Sequence, residues 1–172
     1  MLSGETAIGK YPVETVAAMN TICREAEKSP ASKQEASAAF MARHLTFASA
    51  TAKAAVEAAT DLRLETIVAF TESGNTALLL SKYRPAAKIM AFTPEESTLS
   101  RMALYWGVIP NSFVRLDHTD VMIATAEEAL LRMDTCTMGE GVVMVAGIPP
   151  NQQASTNLMK LHTIGEATDP SF

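Results

Sequence analysis

The sequence predicts an open α/β sheet with helices on both faces. Three observations carry that prediction. From residue 65 onward, short β-branched or apolar runs alternate with helical stretches. The connections between them hold Gly, Pro, Ser and Asn. The last two apolar runs follow one another with no helix between them. The resulting order, β-α-β-α-β-α-β-β, calls for right-handed crossovers. The final link is too short for a helical crossover, so the fifth strand is expected to pair antiparallel with the fourth.

Each element has its own warrant. Ser3, Gly4, Glu5 and Gly9 make the opening segment polar and Gly-rich. Pro12 then suits the first turn of a helix, where its missing N–H costs nothing. Val16, Met19, Cys23 and Ala26 recur at helical spacing, and Ser29-Pro30 stops the run, which predicts a helix over 12–28. Residues 29–46 show no clean stripe, although their alanines favour a helix over 34–42. Phe47 to Asp61 is helical by propensity, and its many alanines let another backbone approach closely. Glu65 to Phe70 is a β-branched strand, and Thr71 to Thr76 has turn chemistry. Ala77 to Tyr83 is a helix ended by Arg84-Pro85, and Lys88 to Thr93 is the second strand. Pro94-Glu95-Glu96 opens a helix with acids in its first turn, complementing the dipole, and the pattern runs to about Trp106 before Gly107 breaks it. Val108 to Leu116 holds a Pro-interrupted strand. Thr119 is a candidate cap for a helix reaching Met133. Val142 to Ile148 is nearly all apolar, as a strand covered on both faces should be. Pro149 to Ser155 reads as a loop, and Leu158 to Ile164 alternates as the last strand. Residues 1–30 lie outside this alternation and read as an appendage to a self-sufficient domain over 31–172.

Composition excludes several classes of function. The 172 residues are 48% hydrophobic and 19% charged, which fits a globule that folds without a metal or disulfide. A net charge of −5 suits neither nucleic acid nor an anionic membrane as partner. No apolar run approaches the ~20 residues of a membrane span. The opening residues lack the basic start and apolar core of a signal peptide, so a cytoplasmic location is expected. Cys23 and Cys136 lie far apart and read as reduced thiols. His44, His118 and His162 are scattered, with no spacing suited to a shared metal. Glu95-Glu96 and Glu127-Glu128 read as helix-start and solvent-face charges, and Trp106 as a core or interface anchor. No catalytic residue is assigned.

Ligands of open α/β sheets bind beyond the carboxyl ends of the strands. The first such end here is Thr71-Glu72-Ser73-Gly74-Asn75-Thr76-Ala77, which runs straight into a helix. Free N–H groups and the hydroxyls of Thr71, Ser73 and Thr76 suit a phosphate, and Gly74 allows close backbone approach. The same residues also read as a tight turn with Ser73 or Asn75 capping the helix. The loop carries no cation, so an anion held there relies on N–H groups and hydroxyls, and Glu72 must point away.

Several segments together resemble pyruvate kinase. Met1 to Glu14 resembles the family's approach to the last helix of its catalytic (β/α)8 barrel, and Arg24-Glu25-Ala26-Glu27 the end of that helix. Ala54 to Ala59, Phe70 to Ala77, Ser81-Lys82-Tyr83-Arg84-Pro85, Gly107-Val108-Ile109-Pro110 and Thr156-Asn157 resemble, in order, its C-terminal domain. The resemblance implies a three-layer α/β/α unit with a mixed five-stranded sheet whose last strand is antiparallel. It assigns residues 1–30 to the end of the barrel and 31–172 to a regulatory and assembly domain. It implies that Thr71, Ser73, Gly74, Asn75 and Thr76 hold a phosphate of an allosteric effector. It further implies a cytoplasmic enzyme of glycolysis that assembles as a homotetramer, with subunits meeting through this domain. The parent would transfer phosphate from phosphoenolpyruvate to ADP, using Mg²⁺ or Mn²⁺ and K⁺.

Two departures qualify what is carried over. Members answering to fructose 1,6-bisphosphate have Trp and basic residues before the final strand, whereas Gly147 to Ser155 contains no Trp, Arg or Lys. That stretch favours a monophosphate, such as AMP or a sugar monophosphate, or no effector at all. The family's catalytic lysine and metal ligands correspond to nothing in this chain. The chain is therefore expected to be a portion of a pyruvate kinase, either cut or a truncated gene product, inactive alone and needing no cofactor itself. A free-standing phosphate-binding module and a structural domain without ligand are the alternatives.

Overall fold

A computed structural model of the chain describes residues 1–28, 46–148 and 155–166. The helix expected over 34–42, the boundary at 30/31, His44 and most of the loop from Pro149 lie outside the described residues. The chain forms two compact units, Met1–Met41 and Ala42–Phe172.

The first unit holds α1 (Gly4–Ala7) and α2 (Pro12–Glu27). Pro12 is the first residue of α2, as its fixed φ predicts. The short helix α1 was not expected from a polar, Gly-rich segment. It forms because the Ser3 carbonyl accepts from both Thr6 N and Ala7 N, at 3.1 and 3.0 Å.

The second unit carries α3 (Phe47–Asp61), β1 (Thr66–Phe70), α4 (Asn75–Lys82), β2 (Lys88–Thr93), α5 (Glu96–Met102), β3 (Val108–Ser112), α6 (Thr119–Arg132), β4 (Gly141–Ala146) and β5 (Leu158–Thr163). The sheet order is β3-β2-β1-β4-β5. Its first four strands are mutually parallel, and β5 runs antiparallel to β4 with Val142 opposite His162. The mixed five-stranded sheet is therefore the one the sequence predicts.

Chain direction sorts the helices into layers. From β1 the chain steps through α4 and α5 toward β3, then α6 carries it back past β1 to β4. Right-handed crossovers moving in opposite directions put α6 on the opposite face from α4 and α5. On the α6 face, Val68, Phe70, Met90, Phe92, Val142 and Met144 meet Met122, Ile123, Ala126 and Leu130 in one buried cluster. Alternation sends Ile67, Ala69, Ile89, Ala91, Val143 and Val145 to the other face, where all are buried. There α3 contributes Ala48, Ala52, Ala55 and Ala59, a stripe small enough for it to lie close against β1, β4 and α4. Thr46 starts α3 with a reciprocal cap, accepting from Ser49 N at 3.2 Å while its own N donates to Ser49 Oγ at 3.0 Å.

Several elements stop before their patterns suggest, α5 and β3 by the most. Helix α5 ends at Met102, because Leu104 N and Tyr105 N bond three residues back and tighten the chain toward Gly107 at φ +69°. Strand β3 stops at Ser112: it is an edge strand, which suits Pro110, and its alignment with β2 ends where Thr93 does. Trp106 is half-buried under the Arg84 guanidinium, 5.4 Å from the ring centre, which is a packing role.

Candidate functional site

The strand order reverses at β1. The chain leaves one side of β1 for β2 and returns to the other side at β4. This is the topological switch point, where the ends of neighbouring strands part and open a crevice. The loop after β1 lines that crevice, opposite Gly147 after β4 and Thr156 before β5. The crevice is an open cleft of about 650 Å³, a size suited to a small molecule.

The loop is built by its own side chains. Thr71 N donates to the Phe92 carbonyl at 3.0 Å, which holds the end of β1 against β2. Thr71 Oγ1 accepts from Gly74 N at 2.9 Å, closing the turn. Gly74 has φ +79° and occupies the position before α4. A Cβ there would meet Thr98 Cγ2 at 3.3 Å and Met102 Cγ at 3.4 Å, so glycine serves both the backbone angle and the approach of α5. Ser73 Oγ accepts from Asn75 N at a long 3.4 Å, and the Ser73 carbonyl accepts from Arg101 Nη2 at 2.6 Å.

Helix α4 has no side-chain cap. Among the described residues, the Thr76 and Ala77 amides have no hydrogen-bond acceptor. The first turn of an α-helix leaves such donors open, and they carry the positive end of its dipole. Neither Ser73 nor Asn75 caps α4 in the manner of the alternative reading: the Ser73 hydroxyl accepts from the Asn75 amide at long range, and Asn75 is already helical.

Four of the five sequence-predicted residues, Thr71, Ser73, Asn75 and Thr76, line the cleft. Gly74 lies behind them against α5. Thr76 is committed elsewhere in part: its hydroxyl meets that of Thr156 at 2.7 Å, both residues being buried. This bond ties the start of α4 to the approach to β5. Asn157 adds a two-point clasp, accepting from Ile148 N and donating to the Ile148 carbonyl, both at 2.8 Å. The two ends of the intervening loop are thus held together beside the cleft.

Sequence reasoning missed the charges that surround this loop. Arg115, from the segment after β3, enters the cleft wall. Its Nη1 lies 3.0 Å from Glu72 Oε1, and its Nη2 donates to Glu95 Oε1. The Glu95 carboxylate beside it, and then that of Glu72, push the Arg115 guanidinium further above its ordinary range. Arg101 braces the loop from α5. The loop itself has no cation, but the fold supplies two from other elements. The rule that parallel strands gather function at their carboxyl ends points to the β3 end as well, and that signal could have found Arg115.

The remaining candidates have structural roles. Cys136 is buried and its Sγ lies 3.6 Å from Thr66 Oγ1; burial pushes its thiol up, away from the reactive thiolate. Glu127 is not a solvent-face charge: it meets His162 and the Gly165 amide. Among the described residues, no group of three or more His, Cys, Asp or Glu is placed to hold a metal ion. No helix among them is long and apolar enough to cross a membrane.

The family model described as "Pyruvate kinase, alpha/beta domain" matches residues 49–162. The chain belongs to the pyruvate kinase family. A pyruvate kinase of Staphylococcus haemolyticus is 37% identical over 166 residues, covering 96% of this chain and 28% of that protein. One from Geobacillus stearothermophilus matches with the same identity and coverage. Among solved structures, a pyruvate kinase from Cryptosporidium parvum superposes with a TM-score of 0.77 at 30% identity, over 95% of this chain and 32% of that one. The chain thus spans 28% of the length of the pyruvate kinases it matches. The matched domain contains the whole sheet except the last residue of β5, together with the cleft loop.

Proposed function

We propose that this chain is the regulatory and assembly portion of a pyruvate kinase, and that it binds a phosphorylated effector at Thr71, Ser73, Gly74, Asn75 and Thr76. The observation that carries the effector reading is the uncapped start of α4, where the Thr76 amide has no hydrogen-bond acceptor among the described residues and Thr71, Ser73, Asn75 and Thr76 line a cleft of about 650 Å³. The effector class is a monophosphate. The described cleft wall offers Arg115 as its one cation, already shared between two carboxylates, which leaves little to neutralise a second phosphate. The parent reaction, phosphate transfer from phosphoenolpyruvate to ADP with Mg²⁺ or Mn²⁺ and K⁺, belongs in this proposal to a cytoplasmic enzyme. Its barrel would end in residues 1–30 and be followed by the regulatory domain over 31–172.

Thermal unfolding with AMP, ribose 5-phosphate, glucose 6-phosphate and fructose 1,6-bisphosphate tests the effector reading. A ligand at a hundred times its Kd adds about 2.7 kcal/mol of stability. For a domain of this size that raises Tm by roughly 5–10 °C. Ser73→Asp adds a negative charge beside the amides and is expected to abolish the rise. Absence of a response to all four ligands favours the structural domain without ligand.

Assembly is proposed through the sheet edge. Met159 and Leu161 on β5 are 37% and 50% exposed, apolar positions on a strand with one side unpaired among the described residues. Leu161→Glu is expected to shift the chain toward monomer in light scattering, and an unchanged mass would exclude this edge.

A further inference from the structure

The cleft contains a cation that is already occupied. Arg115 gives one side of its guanidinium to Glu72 and the other to Glu95. Glu72 lines the cleft beside Thr71 and Ser73, and Glu95 immediately precedes α5. The three side chains are 51%, 31% and 44% exposed, so these pairs lie in water-accessible surroundings, where ion pairs are weak and exchange readily. Two carboxylates against one guanidinium leave the triad with an excess of one negative charge. An incoming phosphate therefore meets net repulsion from this triad in the cleft wall, although a guanidinium suited to two-point recognition of phosphate stands in it.

We propose that Glu72, Arg115 and Glu95 form an autoinhibitory latch, in which the Glu72 carboxylate occupies the guanidinium that a bound phosphate would otherwise recruit. The inference rests on the reading of the 71–77 loop as an anion site. In the resting protein Glu72 acts as an internal competitor. A phosphate seated against Thr71, Ser73 and Thr76 gains Arg115 only by displacing Glu72, and Glu95 keeps the guanidinium beside the cleft while that exchange occurs. Affinity is held low by the chain itself, and any change that removes the Glu72 charge releases it.

The test is a double-mutant cycle on the 172-residue chain, with inorganic phosphate as the probe and ³¹P line broadening as the readout. Glu72→Gln is expected to bind phosphate about tenfold more tightly than the unaltered chain, through the freed guanidinium and lost repulsion together. In the Arg115→Gln background the same Glu72→Gln change is expected to tighten binding by no more than about twofold relative to Arg115→Gln alone, because most of the gain passes through Arg115. If the tightening survives in the combined variant, plain repulsion explains it and the latch is wrong. If Glu72→Gln gains nothing while the unaltered chain binds, the latch is also wrong and the anion site stands. If no protein in the cycle binds phosphate, the anion reading fails and the latch fails with it. Circular dichroism melting confirms folding in each case, since all the altered side chains are at least partly exposed.

Discussion

Gly74→Ala is expected to lower the stability of the domain by about 1–3 kcal/mol and to remove any response to phosphorylated ligands. Two costs combine. The φ of +79° puts an L-residue in the left-handed region, and the new methyl would sit 3.3 Å from Thr98 Cγ2 and 3.4 Å from Met102 Cγ. Neither neighbour can yield freely, because Thr98 and Met102 are both buried on α5. Relief comes only from moving the loop, and the loop carries the Thr76 and Ala77 amides, the Thr71–Gly74 bond and the Ser73 carbonyl held by Arg101. Gly74→Asn separates the two costs: asparagine tolerates the left-handed region but brings the same Cβ. Asn is expected to fall between Gly and Ala in a urea titration. Equal stability of Ala and Gly variants would show that the loop has freedom this geometry does not allow it.

The order of elements was legible because each strand and helix has a local cause. Thr66 to Phe70 is β-branched and aromatic, and it is buried along its whole length. The alanine run of α3 is helical by propensity and also packs as an alanine stripe, so local and global preferences agree. The antiparallel β5 followed from the shortness of one link. Boundaries that depend on tertiary contacts were less legible. The pattern to Trp106 gave no hint that the chain tightens after Met102, and nothing in Val108 to Leu116 marks Ser112 as the last residue paired to β2.

The site divides in the same way. Its loop could be read because turn chemistry is local, and Thr71, Ser73, Gly74, Asn75 and Thr76 are contiguous. Its electrostatics could not. Arg101 lies 28 residues from the carbonyl it holds, and Arg115 lies 20 residues from Glu95. Only the parallel register of β1, β2 and β3 brings their carboxyl ends to one edge and makes these groups neighbours. Glu72 looked like a bare negative charge in a phosphate loop. Its neutralising partner comes from a segment that the sequence marks only as the end of a strand.

The pairing of Glu127 with His162 leads to the second large expected effect. Glu127→Ala is expected to destabilise the domain by about 2 kcal/mol, from the loss of partners for a buried imidazole and a backbone amide. The His162 side chain is 1% exposed, and its Nε2 lies 2.6 Å from Glu127 Oε2. The other carboxylate oxygen accepts from Gly165 N at 2.9 Å. A carboxylate accepts from both, so Nε2 is the protonated ring nitrogen in this pair. One side chain on α6 therefore fastens β5 near its C-terminal end and just beyond it. This matters because β5 is an edge strand that, among the described residues, pairs along its backbone with β4 alone. Glu127→Gln retains one acceptor for two donors and is expected to cost about half as much. Amide hydrogen exchange should report where the loss falls. The β5 amides, Leu158 to Thr163, are expected to lose protection first, ahead of the central strands β1 and β2. A uniform loss across the sheet would mean that Glu127 stabilises the whole core rather than pinning its edge.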